Sequence, residues 1–355
     1  MNIKDINFTY ADTIAAEILT GRSSDTNEFF DVLGEAMQGT RDLLARYAQH
    51  ATLLIMKYMK DGDSSEKRVD RHRSGFEGVS MSFGKCALCH AKAELRDSHY
   101  LPRGGYKSAR SAALTNQNPV VIARNRAKQS QAQVHEFKFC SECEASFNDG
   151  GENWVLRHVH RKYGAVFPIH TILNSAQPFV GKSGFLVFLQ QIIPTINIDK
   201  LIYFAMSIFW RGTLHWNGVE GNPVSRVYLG RYERQIRMFL LGKSKLPGDM
   251  ALIVGVWPFN GVPIMSTFPE MDETEPYRRY WFYISGFFFV LAVGKKIPSL
   301  VKQVCAPSLK AVILSKELGE SIYKIVRTKA MAADKTNIAG MLQEIAAIKA
   351  KTSSN

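Results

Sequence analysis

KCALCHAKAELRDSHYLP, residues 85–102, and HEFKFCSECEASFNDGGE, residues 135–152, decide how this chain of 355 residues is read. Each stretch carries a Cys-x-x-Cys pair, Cys86 with Cys89 and Cys140 with Cys143, and only Cys305 of the five cysteines falls elsewhere. A two-residue spacer lets a tight turn aim two sulfurs at one point, so two such pairs close a tetrahedral thiolate shell around one zinc ion. The zinc expected here is structural. Disulfides are not expected, because nothing in the sequence points to secretion.

Between the pairs stands Asp97-Ser98-His99, followed by Leu101-Pro102, and Glu144 directly follows the last cysteine. In these residues the segment from about 80 to 155 resembles the zinc-bearing members of the HNH, or ββα-metal, endonuclease superfamily. There a first Cys pair precedes a hairpin ending in a metal ligand, then His and x-x-Pro, and a second Cys pair opens a helix that carries further metal ligands. The resemblance implies His99 as general base, with His135 standing where the family places an Asn that orients it. It implies Glu144 and Asn148 as the helical metal pair. Residues four apart share one helix face, and their oxygens suit a hard cation such as Mg²⁺ or Mn²⁺. Ser98 occupies the position directly before the histidine, where the family has a ligand, so Asp97 or Glu152 has to complete that catalytic shell. The two Cys pairs lie about fifty residues apart, so an insertion over 106–133 is expected to loop out. Phe209-Trp210-Arg211 resembles a Trp-Arg motif in a looser bacterial group that shares Ser-His-x-x-Pro and Cys-x-x-Cys-Glu.

Composition points to a polyanionic partner. The net charge is +13 and the isoelectric point near 9.5, which favours nucleic acid, DNA being the expected polymer. Arg103, Lys107, Arg110, Arg124, Arg126 and Lys128 are unopposed by any acid between Ser98 and His135, and Arg161-Lys162 adds a second cluster. These are candidate phosphate contacts or, equally, a solvated surface. The longest apolar run, 281–294, falls short of the ~20 residues that span a bilayer as a helix. Asp5, Asp12 and Glu17 break up the start of the chain, so no secretory signal is read there and no membrane partner is expected. A cytoplasmic location is expected for a thiolate site and an unpaired Cys305. Signatures of nucleotide-phosphate loops, dinucleotide folds and serine-hydrolase elbows do not occur.

The expected fold is α+β in three regions. Residues 1–78 read as N-terminal helices, with an apolar stripe from Phe29 to Tyr58 that packs within the chain or against a second copy or protein partner. Residues 79–163 form the zinc-bound HNH-like module with its basic insertion. Residues 164–355 form a mixed α/β region ending in helices: apolar 185–193, a buried helix over 200–211, strands over 250–257 and 280–293 interrupted at Gly286, and helices over 309–331 and 337–349. Trp210 and Trp216 read as core by their spacing, with base stacking as the alternative. The function expected is a metal-dependent endonuclease acting on phosphodiester bonds, with antiviral defence against foreign DNA as its setting by analogy of fold. Two alternatives stand beside it: a zinc-stapled nucleic-acid-binding module without catalysis, and a structural assembly protein.

Overall fold

Strand β1 (Ser82–Lys85) and strand β2 (Lys92–His99) make an antiparallel hairpin, and the first Cys pair lies in its turn. His90 closes that turn in the left-handed region at φ 67°. Its N–H donates to the Cys86 carbonyl at 2.9 Å, and the Cys86 N–H donates to the Ala91 carbonyl at 2.8 Å. Helix α1 (Arg103–Ser111) carries Arg103, Lys107 and Arg110 and no acid in its first turn. The segment over 106–133, expected to loop out as an insertion, contains the later part of this helix and a hairpin of β3 (Val120–Ala123) and β4 (Arg126–Gln129), which carries Arg126 and Lys128. Strand β5 (His135–Cys140) pairs with β2, completing a sheet of order β1-β2-β5 whose register shifts between Arg96 and Asp97. Helix α2 (Ser141–Phe147) runs into a π-helical turn (Asn148–Glu152) and then α3 (Asn153–Val159).

The computed structural model describes residues 82–111, 120–123, 126–129, 132–160, 166–182, 185–218, 224, 226–257, 266–272, 277–316 and 334–335. The expected N-terminal helices, the helix over 337–349 and the basic residues Arg124, Arg161 and Lys162 lie outside the described residues.

The rest is organised by one large sheet. Helix α4 (Pro168–Asn174) leads to β6 (Val180–Lys182) and β7 (Phe185–Leu189). Helices α5 (Ile198–Arg211) and α6 (Arg231–Leu240) follow. Then come β8 (Met250–Val256), β9 (Glu270–Asp272), β10 (Arg278–Ile284) and β11 (Phe287–Val293). Two short helices, α7 (Ser299–Val304) and α8 (Ala306–Leu309), precede β12 (Ala311–Ser315). Finally β13 (Asp334–Lys335) pairs in parallel with β4. The seven strands stand in the order β6-β7-β12-β8-β11-β10-β9. All neighbours are antiparallel except β12 with β8.

Near-continuous apolar runs such as FFFVLAV suit strands covered on both faces. Ser285 and Gly286, at φ 42° and 94°, supply the two positive dihedrals that a tight hairpin between β10 and β11 requires. Helix α5 is buried nearly all round, and Asn197 caps it by accepting from the Lys200 N–H at 3.0 Å. Its Phe204 and Phe209 pack edge-on against Phe282 of β10. One buried cluster runs from Cys86 in the first hairpin through α5 to Leu314 in β12. Gly151 makes the junction close, because a Cβ there would lie 2.4 Å from the Lys200 carbonyl oxygen of α5.

One sequence expectation changes here and another holds. The helix expected over 309–331 gives way in its described part to β12, since AVILS is β-branched, fully buried and inserted between β7 and β8. Trp210 and Trp216 are each 1% exposed and belong to the core. Among the described residues, no helix is long and apolar enough to cross a membrane.

Gly255 of β8 leaves room for the ring of Phe288, its partner on β11; a Cβ there would sit 1.7 Å from Cζ. Gly255→Ala is therefore expected to destabilise the chain by about 1–3 kcal/mol or more. Chemical denaturation read by tryptophan fluorescence checks this, and an unchanged midpoint contradicts the packing described.

Candidate active site and metal centre

Cys86 and Cys89 come from the β1–β2 turn, Cys140 ends β5, and Cys143 lies in the first turn of α2. The four sulfurs all lie within 4.8 Å of one another. Sulfurs placed ~2.3 Å from a tetrahedral zinc stand about 3.8 Å apart, and Cys89 and Cys140 are separated by 3.8 Å. The Cys140 N–H donates to the Cys86 sulfur at 3.4 Å, a donor placed to stabilise a thiolate.

The four thiols perturb one another. Hydrogen bonding from Cys143 lowers the Cys86 thiol to about 4, burial raises Cys140 to about 11, and Cys143 is raised by its bond to Cys86. Shifts in opposite directions are what mutual hydrogen bonding among crowded thiols produces. Donor type and spacing fit a structural metal such as zinc.

A buried arginine governs the other side of the module. Arg211, at the end of α5, is 1% exposed, and its Nη2 donates to Glu152 Oε1 at 2.5 Å, itself 5% exposed. Its Nη1 donates to the carbonyls of His99 at 3.3 Å and Tyr100 at 3.2 Å. The guanidinium lies 4.1 Å from the Phe147 ring centroid of α2, and the Trp216 indole donates to the Arg211 carbonyl at 2.9 Å. Arg211 thus ties α5 to the end of β2, to α2 and to the π-helical turn. Immediately after His99 the chain enters the core: Tyr100 is buried, stacked between Trp216 and Phe268.

Helical Glu144 is driven above the usual carboxylate range by burial, opposed by the Arg211 charge and the Ser98 hydroxyl. Its Oε1 is buried and lacks a hydrogen-bond partner among the described residues. Ser98 is buried on the same side and accepts from the Phe139 N–H at 3.2 Å.

Asp97 and His135 point the opposite way. Both are half exposed, and His135 Nδ1 lies 2.6 Å from Asp97 Oδ1. His99, directly across from His135 in the sheet, stacks on it with ring centroids 5.4 Å apart and an interplanar angle of 22°. His99 is held below the ordinary imidazole value, chiefly by burial and further by His135 and Arg103, with Asp97 opposing. A neutral ring able to accept a proton results.

The residues expected to hold the catalytic cation are therefore divided. Glu144 and Glu152 face inward toward Arg211, Asn148 is exposed where the π-helical turn begins, and Asp97 lies on the His135 face. Among the described residues the four cysteines form a compact metal-ligating group, while Asp97, Glu144 and Glu152 do not. The donor set for Mg²⁺ or Mn²⁺ does not fit as arranged. Arg103 and Lys107 are exposed on α1.

The ion pair between Arg211 and Glu152 was not legible from spacing, since the residues are 59 apart; the only sequence signal was the Trp-Arg resemblance. Comparisons with protein-family models, with curated proteins and with solved structures find no match.

Arg211→Met leaves Glu152 buried without its partner, which is expected to destabilise the chain by about 3–5 kcal/mol. Arg211→Met combined with Glu152→Leu is expected to recover most of that loss. Urea unfolding of both variants checks it, and equal loss in single and double variants contradicts a coupled pair.

Proposed function

We propose that the chain is an endonuclease that hydrolyses phosphodiester bonds of nucleic acid, of the ββα-metal type, with His99 as general base. The observation that carries this reading is the Asp97–His135 hydrogen bond of 2.6 Å with His99 stacked on His135. Two further features support it: the β1–β2 hairpin and β5 lead through the four cysteines into α2, and the net charge is +13.

On this reading His99 takes a proton from water, the water oxygen bonds to phosphorus, and the bond from phosphorus to the 3′ oxygen breaks, that oxygen leaving with the bonding pair and taking a proton from solvent water. General-base assistance of this kind is worth roughly 10²- to 10⁴-fold. Asp97 fixes the His135 ring, and His135 fixes His99 by stacking. Arg103 lies near enough to His99 to depress its basicity and is exposed to meet a phosphate. The structural zinc holds the hairpin turn and the start of α2 together and takes no part in the reaction. No step is assigned to a magnesium or manganese ion, because Glu144 and Glu152 are turned toward Arg211.

That same commitment favours a second reading, a nucleic-acid-binding module without catalysis. Incubation with supercoiled plasmid, with and without added Mg²⁺ or Mn²⁺, separates the two. The endonuclease reading expects nicking that His99→Ala reduces by at least 10²-fold, with zinc content unchanged. Binding without cleavage by the wild-type chain selects the module. The pH dependence adds a signature. A base works only when neutral, so the acidic limb of the rate profile should rise through a value below the ordinary imidazole value of 6.5. A limb at or above that value speaks against His99.

A further inference from the structure

The outward face of the three-stranded sheet has an aromatic residue that the proposed chemistry does not use. Phe137 sits directly across from Asp97 in the pairing of β5 with β2, two residues along from His135. It is 43% exposed, although its neighbour Phe139 is fully buried. The pairing of β2 with β5 shifts register between these two residues, Phe139 lying across from Arg96 and Phe137 across from Asp97. Leu95 and Ser98 face the core while Glu94, Arg96 and Asp97 face solvent.

Phe83 of β1 is 74% exposed. It pairs with Glu94, while adjacent Gly84 faces Leu95 on the inner side. Two open aromatic rings therefore stand on one sheet face. With strands ~4.8 Å apart and a rise of ~3.3 Å per residue, they are on the order of 14 Å apart.

The exposed charges around them are mixed, three bases to two acids, with Arg96 between the rings and Lys85 and Lys92 beyond Phe83. Lys85, Lys92 and Arg96 are exposed. Of the two acids, Glu94 lies 3.5 Å from Arg96, and Asp97 is held by His135. An exposed phenyl ring offers no hydrogen-bond readout. It offers a flat apolar surface, and a base can lie on it only where that base is unstacked from its own duplex.

We propose that Phe137 is a stacking platform for a nucleobase next to the His99–His135 pair, so that the strand acted on is single-stranded or locally unpaired there. Phe83 provides a second platform about two nucleotides further along. The inference rests on the reading of this face as a nucleic-acid site, and it names the form of the substrate.

The test uses the full chain carrying His99→Ala, which the nuclease reading expects to suppress cleavage, with Phe137→Ala or Phe137→Trp added. The probes are a fluorescein-labelled single-stranded oligonucleotide, the same sequence as a duplex, and an oligomer of abasic spacers of equal length. The parent is expected to prefer the single strand over the duplex. Phe137→Ala should weaken single-strand binding by about 5- to 150-fold, with little change for the abasic oligomer. Phe137→Trp should retain binding, with its fluorescence quenched by the strand. Unchanged single-strand binding in Phe137→Ala, or an equal loss on the abasic oligomer, overturns the platform while leaving the nuclease reading intact. A parent that binds none of the three probes overturns both.

Discussion

Four sulfurs meeting at one point set the geometry of the module. The hairpin turn that carries Cys86 and Cys89 and the junction that carries Cys140 and Cys143 are far apart in sequence, and a shared cation is what lets four crowded thiols ionise together. Once that junction is fixed, β5 must return along β2, His135 must lie across from His99, and α2 must start where β5 ends. The turn is also held from outside, since Arg237 of α6 donates to the Leu88 carbonyl at 2.5 Å.

The second constraint is the buried cation at the end of α5. Arg211 draws Glu152 inward, lies beside Glu144 and binds the carbonyls of His99 and Tyr100. The guanidinium is hydrogen-bonded to Glu152 and reaches Glu144 only through its charge. The acidic and imidazole groups of the module are thereby sorted onto two sides: Glu144 and Glu152 within, and Asp97 and His135 facing out with His99 stacked on His135. Because Arg211 grips the backbone of His99 and not its ring, it fixes the end of the strand while the imidazole stacks on His135.

Much of this was legible in the sequence where the physics is local. A Cys-x-x-Cys spacer determines where two sulfurs go almost regardless of the surroundings, and the apolar density of Tyr280 to Val293 with one Gly implies a buried hairpin. The metal face of α2 was less legible. Four-residue spacing pairs Glu144 with Asn148 on a regular helix, but which side of that helix meets charge is decided by Arg211, which is distant in sequence. Likewise AVILS reads as the start of a helix by its apolar content, and only the gap between β7 and β8 makes it a strand. Phe137 is exposed and Phe139 buried on either side of a register shift that no periodicity reveals.

Zinc-edge X-ray absorption on the purified chain tests the founding constraint most directly. A first shell of four sulfurs at about 2.3 Å is the predicted result. A shell with nitrogen or oxygen replacing two of the sulfurs, or no bound zinc in a chain that still folds, would contradict it and leave the outward histidine face without the brace described here.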